Sequence, residues 1–304
     1  MNDDIARSQK SSETTAGAVG IIGVGIMGLA MARNLLKAGI AVLGFDPSET
    51  RRDALTAAGG SAVSSLKNLI EGSEIVILSL PSANALADTV FALAQIDIRD
   101  RVLLECSTLS LETKLAAHAA LEGRGHIFLD CPISGTGAQA VSADLVMLAS
   151  GERSGFDRCA PVFAVISKEQ HFLGAFGNGT KMKLIANHLV TIHNASTAEA
   201  MVLGLKVGLE PAVVYNALRE SAGSSRMFQV RGPLMRDSTF GQATVTVKTH
   251  VKDLGLISQL GLEADCPLPL FAAASQFYLA ALAQGHELED TASIYEVMKR
   301  AAGI

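Results

Sequence analysis

From Ala18 onward, short apolar runs alternate with stretches of helical period. Val19 to Ile22 is apolar and ends in glycines, Gly28 to Ala38 follows helical spacing, and Ile40 to Phe45 is apolar again before a polar, helix-like segment to Ala58. This is the rhythm of βαβ units. Further runs at Glu74 to Leu80, Arg101 to Glu105, His126 to Leu129 and Leu145 to Ala149 are short, β-branched or leucine-rich, and close in Pro, Ser or Gly clusters. The pattern predicts an α/β fold with a doubly wound, mostly parallel sheet.

After about Gly177 the strand-like runs nearly vanish. Apolar residues recur at three- and four-residue spacing from Lys181 to Val207, which predicts one long helix. Pro211 suits the first turn of the next helix, which Ser221-Ala222-Gly223 stops, and further helices are expected at Lys252 to Leu262, Leu268 to Ala283 and Asp290 to Ala302. The expected organisation is a disordered tail over 1–17, an α/β domain over 18–177 and an all-helical C-terminal domain over 178–304. The tail, rich in Ser, Thr, Asp and Glu, has no apolar core of a signal peptide and carries acidic residues unsuited to a transit peptide.

Composition narrows the partners. The chain has 304 residues, 49% of them hydrophobic, enough for two buried cores. A formal net charge of -5 and the lack of a long Lys/Arg block argue against nucleic acid or an anionic membrane as the main partner. No stretch of about 18 consecutive apolar residues suggests a membrane span. The four cysteines, Cys106, Cys131, Cys159 and Cys266, form no C-x-x-C pair and no metal-ligand set, which fits reduced thiols in a cytoplasmic protein. Cys131 reads as a buried strand-end residue rather than a nucleophile.

The chemistry begins at Gly23-Val24-Gly25-Ile26-Met27-Gly28, a G-x-G-x-x-G turn that follows the first predicted strand and opens the first predicted helix. In that context it predicts a dinucleotide site of Rossmann type. Gly23 permits the tight turn, Gly25 lets backbone N–H groups reach a pyrophosphate, and Gly28 lets helix and strand pack closely. Asp46, at the end of the second strand, can accept hydrogen bonds from ribose hydroxyls and would repel a 2′-phosphate. That favours NAD, while Arg51 and Arg52 lie close enough in sequence to keep NADP open. Leu80-Pro81 and Cys106-Ser107-Thr108 end later strands, where open α/β sheets bind their ligands, although Ser107 or Thr108 could equally cap the helix near Ser110.

At the junction of the two halves, Gly177 to Asn187 starts the long helix. Lys183 and Asn187 share a face, Asn194 lies near the same stripe, and Lys181 points elsewhere. A lysine in a cleft could serve a carbonyl reduced by hydride, where an alkoxide develops and needs a proton. A solvated lysine is the ordinary alternative. Asp130 to Ala138 reads as a strand followed by a small-residue loop able to cradle a carboxylate or simply to turn.

With these segments in order, the chain resembles the β-hydroxyacid dehydrogenase family, which includes 3-hydroxyisobutyrate dehydrogenase and 2-hydroxy-3-oxopropionate (tartronate semialdehyde) reductase. The family's G-x-G-x-M-G turn, D-x-P-x-S-G-G loop, G-x-G-x-x-x-K-x-x-x-N helix and K-D-L triplet correspond to Gly23 to Gly28, Asp130 to Thr136, Gly177 to Asn187 and Lys252-Asp253-Leu254. The resemblance implies NAD(P)-linked, reversible oxidation of a small 3-hydroxy acid to its semialdehyde. It assigns Lys183 as acid/base, Asn187 as its assistant, Ser134 and Gly135 as carboxylate ligands, and Thr108 and Lys252 as neighbours of the nicotinamide. It also implies a homodimer or homotetramer paired through the helical half. Thr136 departs from the family's second loop glycine and puts a β-carbon and hydroxyl where a substrate head group is expected. Reduction of another electrophile, such as an imine or larger sugar acid, and a non-catalytic nucleotide-binding module are the competing expectations.

Overall fold

The computed structural model describes residues 17–304, so the tail expected over 1–17 lies, apart from Gly17, outside the described residues. Six strands, β1 (Ala18–Ile22), β2 (Val42–Phe45), β3 (Ser61–Ala62), β4 (Ser73–Leu78), β5 (Val102–Glu105) and β6 (Ile127–Asp130), form one parallel sheet in the order β3-β2-β1-β4-β5-β6. The order reverses between β1 and β4, which opens a crevice beyond their carboxyl ends. Helices cover both faces, and this explains the nearly continuous apolar runs. Along β4, Ile77 joins the core under the helix Ile26–Lys37, while Val76 and Leu78 join the opposite core with Leu86 and Val90 of the helix Ala83–Ala94.

The run at Leu145 to Ala149 does not extend the parallel sheet. It forms β8 (Val146–Ala149) of a separate three-stranded sheet, antiparallel to β7 (Ile133–Ser134) and parallel to β9 (Glu169–Phe172). Between β7 and β8 the chain has room only for the five-residue helix Gly137–Val141, too little for a parallel crossover.

From Asn178 onward all the named elements are helical, beginning with the 29-residue helix Asn178–Lys206. Helices Pro211–Leu218, Arg226–Asp237, Val247–Glu263, Pro269–Ala283 and Ile294–Ala301 pack around it, with Met201, Phe228, Tyr278 and Tyr295 in the shared core. Arg226–Asp237 is a helix that the sequence pattern hides behind Gly232-Pro233. A Cβ on Gly232 would lie 2.7 Å from the Tyr215 ring, and Arg231 pairs with the buried Asp290, so tertiary contacts outweigh an interior proline. No helix among the described residues is long and apolar enough to cross a membrane.

Candidate active site

The glycine turn joins β1 to the helix Ile26–Lys37 at the crevice. Gly23 has φ +92°, and a Cβ there would lie 2.3 Å from the Ser79 carbonyl oxygen; one on Gly28 would lie 2.0 Å from the Gly23 carbonyl oxygen. Gly25 differs. Its Cβ position is open, with Arg51 Nη1 at 3.9 Å as the nearest neighbour, and this N-cap residue offers no side-chain cap to the helix. First-turn N–H groups without intrahelical partners therefore face an open approach, which fits a dinucleotide pyrophosphate. Val24 is buried behind the turn, Ile26 is exposed at its rim, and Met27 is half-buried.

Asp46 follows β2 and is only 1% exposed. Its Oδ2 accepts the Val24 N–H and its Oδ1 the Ser48 N–H, both at 2.9 Å, and Arg51 Nη1 lies 3.5 Å from Oδ2. The carboxylate thus braces the glycine turn, and the half-exposed Arg51 guanidinium lies beside it. Arg52 donates to the carbonyl oxygens of Asp46 and Pro47 at 2.7 and 3.0 Å, fixing the loop rather than facing solvent freely.

Leu80 and Pro81 lie just beyond β4, and Ser107 and Thr108 just beyond β5. Neither Ser107 nor Thr108 caps the next helix. Ser110 does so, accepting the Thr113 N–H at 3.1 Å, while Ser107 Oγ accepts the Leu80 N–H at 2.8 Å. Lys252 reaches across from the helix Val247–Glu263 and donates to the Thr108 carbonyl at 2.9 Å.

Lys183 and Asn187 are both buried on the inner face of the long helix, and Lys181 is exposed, as helical spacing requires. Asn194 continues the buried stripe but is committed elsewhere, donating to Tyr278 Oη and the Thr291 carbonyl. Asn187 Nδ2 donates to Asp253 Oδ2 at 3.0 Å. Burial lowers the Lys183 pKa below its ordinary value, opposed by the negative charge of Asp253. Burial raises that of Asp253, opposed by Lys252, Lys183 and the Asn187 hydrogen bond. Residue-by-residue reading assigned no role to Asp253; its signal was its place inside the Lys252-Asp253-Leu254 triplet.

Ser134 ends β7 and is half-buried, and Gly135 follows with φ +143°, where a Cβ would meet Leu145 Cδ2 at 2.5 Å. Thr136 is the N-cap of the helix Gly137–Val141. Its Oγ1 accepts the Gln139 N–H at 3.4 Å, and its own N–H donates to Gln139 Oε1 at 3.0 Å, a reciprocal capping box. The added hydroxyl is therefore engaged locally. Cys131 is fully buried and its thiol is pushed well up by burial, so it offers no thiolate nucleophile.

Comparison with known proteins agrees with this geometry. The family model for the NAD-binding domain of 6-phosphogluconate dehydrogenase matches residues 18–177, and that for the NAD-binding region of NADP-dependent 3-hydroxyisobutyrate dehydrogenase matches residues 177–298. Glyoxylate/succinic semialdehyde reductase 1 of Arabidopsis thaliana is 33% identical, over 92% of this chain and 98% of its own. The 2-(hydroxymethyl)glutarate dehydrogenase of Eubacterium barkeri is 30% identical, over 94% and 96%. Among solved structures, the 3-hydroxyisobutyrate dehydrogenase of Mycobacterium tuberculosis with L-serine superimposes with a TM-score of 0.85 at 25% identity, covering 93% of this chain and 99% of that one. Fold and relatives together define an NAD(P)-dependent oxidoreductase acting on CH–OH groups. The chain belongs to the β-hydroxyacid dehydrogenase family.

Proposed function

We propose that the protein reversibly oxidises a small 3-hydroxy acid to its semialdehyde, with Lys183 as general acid/base. The observation that carries this reading is a buried lysine of lowered pKa, sharing a helix face with Asn187. When bound, a nicotinamide dinucleotide accepts or supplies the hydride. In oxidation, the neutral Lys183 amine takes the hydroxyl proton of the substrate; in reduction, its ammonium returns a proton to the carbonyl oxygen. Lowering the pKa by burial brings both states into reach. Asn187, oriented by Asp253, assists Lys183, while Ser134 and Gly135 bind the substrate carboxylate. Because the Thr136 hydroxyl is already bound in its cap, it gives no particular support to an imine or sugar-acid substrate.

Gly23 to Gly28 hold the pyrophosphate, and Leu80, Pro81, Thr108 and Lys252 approach the nicotinamide end. Asp46 supports the ribose end through the turn, with Arg51 placed to tolerate NADP beside NAD. The α/β part, 18–177, serves as the dinucleotide domain and the helical part, 178–304, as the substrate and oligomerisation domain. Met182, Ile185 and Leu189, exposed at 41%, 51% and 48%, make one apolar stripe on the long helix and support pairing into a homodimer or homotetramer. Free cysteines support a cytoplasmic setting.

The test is turnover of 3-hydroxyisobutyrate, L-serine and 2-(hydroxymethyl)glutarate, and reduction of succinic semialdehyde and glyoxylate, with each cofactor. Lys183→Ala is expected to lower kcat by about 10²-fold or more at nearly unchanged cofactor affinity. Unchanged turnover would remove Lys183 from the chemistry.

A further inference from the structure

A buried ion cluster lies behind the strand ends, and of its three members only Asp130 belongs to a motif named above. Lys114 of the helix Leu111–Leu121, Glu105 at the end of β5 and Asp130 at the end of β6 are all fully buried. The Lys114 ammonium is 2.6 Å from Glu105 Oε2 and 2.8 Å from Asp130 Oδ1. Burial alone would lower the pKa of Lys114, but the two carboxylates more than reverse this and hold it charged.

Each carboxylate also has a second set of partners, and the two sets lead in different directions. Glu105 Oε1 accepts the Ser107 N–H at 3.0 Å, and Ser107 Oγ accepts the Leu80 N–H at 2.8 Å, so Glu105 shapes both loops proposed to meet the nicotinamide end. Asp130 accepts from Thr180 twice, Oδ2 from the backbone N–H at 2.7 Å and Oδ1 from the hydroxyl at 2.8 Å. Ser150, 3.3 Å from Asp130 Oδ2, accepts the Gly179 N–H at 2.9 Å. Thr180 sits in the first turn of the long helix, three residues before Lys183.

Stability gives a poor account of this cluster, because buried ion pairs and triads can commonly be replaced by apolar groups of similar volume with little loss. Apolar groups, however, cannot fix directions and spacings as charge-assisted hydrogen bonds do. We infer that Lys114, through Glu105 and Asp130, is a positioning residue that sets the spacing between the two cofactor loops and the helix carrying Lys183. The inference rests on Lys183 as the proton-transfer group. Hydride transfer needs near-attack geometry, and a displacement of about 1 Å can cost on the order of 10²-fold in rate.

The double variant Glu105→Gln/Lys114→Met cuts the link while leaving Asp130 its bonds to Thr180 and Ser150. With whichever of the tested acids the parent enzyme oxidises, kcat per folded molecule is expected to fall about tenfold or more. KM and the fluorescence-titrated Kd for NADH and NADPH should stay within about threefold. Thr180→Val removes the hydroxyl bond to Asp130 Oδ1 and keeps the backbone N–H bond to Oδ2, so it loosens the helix side alone and should also lower kcat, and adding it to the double variant should cost less than the product of the separate losses. Parental kcat in the double variant, or fully multiplicative losses, would overturn the inference. If the double variant does not fold, parental kcat in Thr180→Val overturns it alone. Lys183→Ala separates the two ideas: retained turnover there defeats the acid/base reading, whereas lost turnover there with parental cluster variants defeats only the positioning role.

Discussion

Asn187 Nδ2 donates to Asp253 Oδ2 at 3.0 Å, tying the helix that carries Lys183 to the helix that carries Lys252. Among the described residues Asp253 Oδ1 is buried without a hydrogen-bond partner, the Lys252 ammonium lies 3.9 Å from it, and the carboxylate charge favours a protonated Lys183 against burial. His250, on the same helix, is held neutral by burial with its pKa lowered to about 4, and does not titrate near neutrality.

Asp253→Asn should therefore lower the Lys183 pKa further. In oxidation, where the amine must be neutral, the rising limb of kcat/KM is expected to shift to lower pH. In reduction, where it must be charged, the falling limb should shift the same way. Profiles in both directions check this, and unmoved limbs would separate Asp253 from the electrostatics of Lys183.

The three glycines of the turn should fail differently. Gly23→Ala and Gly28→Ala place a Cβ against backbone oxygen at 2.3 and 2.0 Å and should lower the thermal midpoint markedly. Gly25→Ala meets no such contact and should keep the parental midpoint while losing about tenfold or more in cofactor affinity. Calorimetry beside cofactor titration distinguishes them; a destabilised Gly25→Ala would contradict its open position.

At the ribose end, Asp46→Ala removes the acceptor of the Val24 N–H and is expected to weaken NAD and NADP alike. Arg51→Ala, by contrast, should weaken NADP more than NAD, because the guanidinium is the exposed charge there. Paired Kd measurements settle it. An Asp46→Ala variant that strengthens NADP without weakening NAD would assign that residue to direct ribose reading.

Thr136→Ala should cost about 1 kcal/mol through the lost cap, and Thr136→Ser should restore it. Since the hydroxyl is engaged with Gln139, the serine variant is expected to keep the parental order of preference among the tested acids. A reordered preference would show the threonine methyl group in contact with substrate.

Apolar alternation, the glycine turn and the lysine–asparagine spacing are local in sequence, and each was readable without a fold. A strand buried on both faces must be apolar throughout, and residues four apart on a helix must share a face. Other features escaped for physical reasons. β9 reads Glu169-Gln170-His171-Phe172 because an edge strand facing solvent needs no apolar side chains, and β3 is only two residues long. The helix Arg226–Asp237 exists because Tyr215 and Asp290, distant in sequence, hold Gly232 and Arg231.

The sequence by itself thus determined the alternating α/β half, the helical half, the glycine turn between β1 and the first helix, and the shared helix face of Lys183 and Asn187, since all of these follow from short-range periodicity and spacing. Tertiary structure alone decided the strand order that makes the crevice, the departure of β8 from the main sheet, the meeting of Asp253 with Asn187, and the engagement of Asp46 and Thr136 with their own neighbours. Those depend on which long-range partners fill the hydrogen-bonding capacity of a side chain, and a buried polar group takes the partner that the packed fold brings to it.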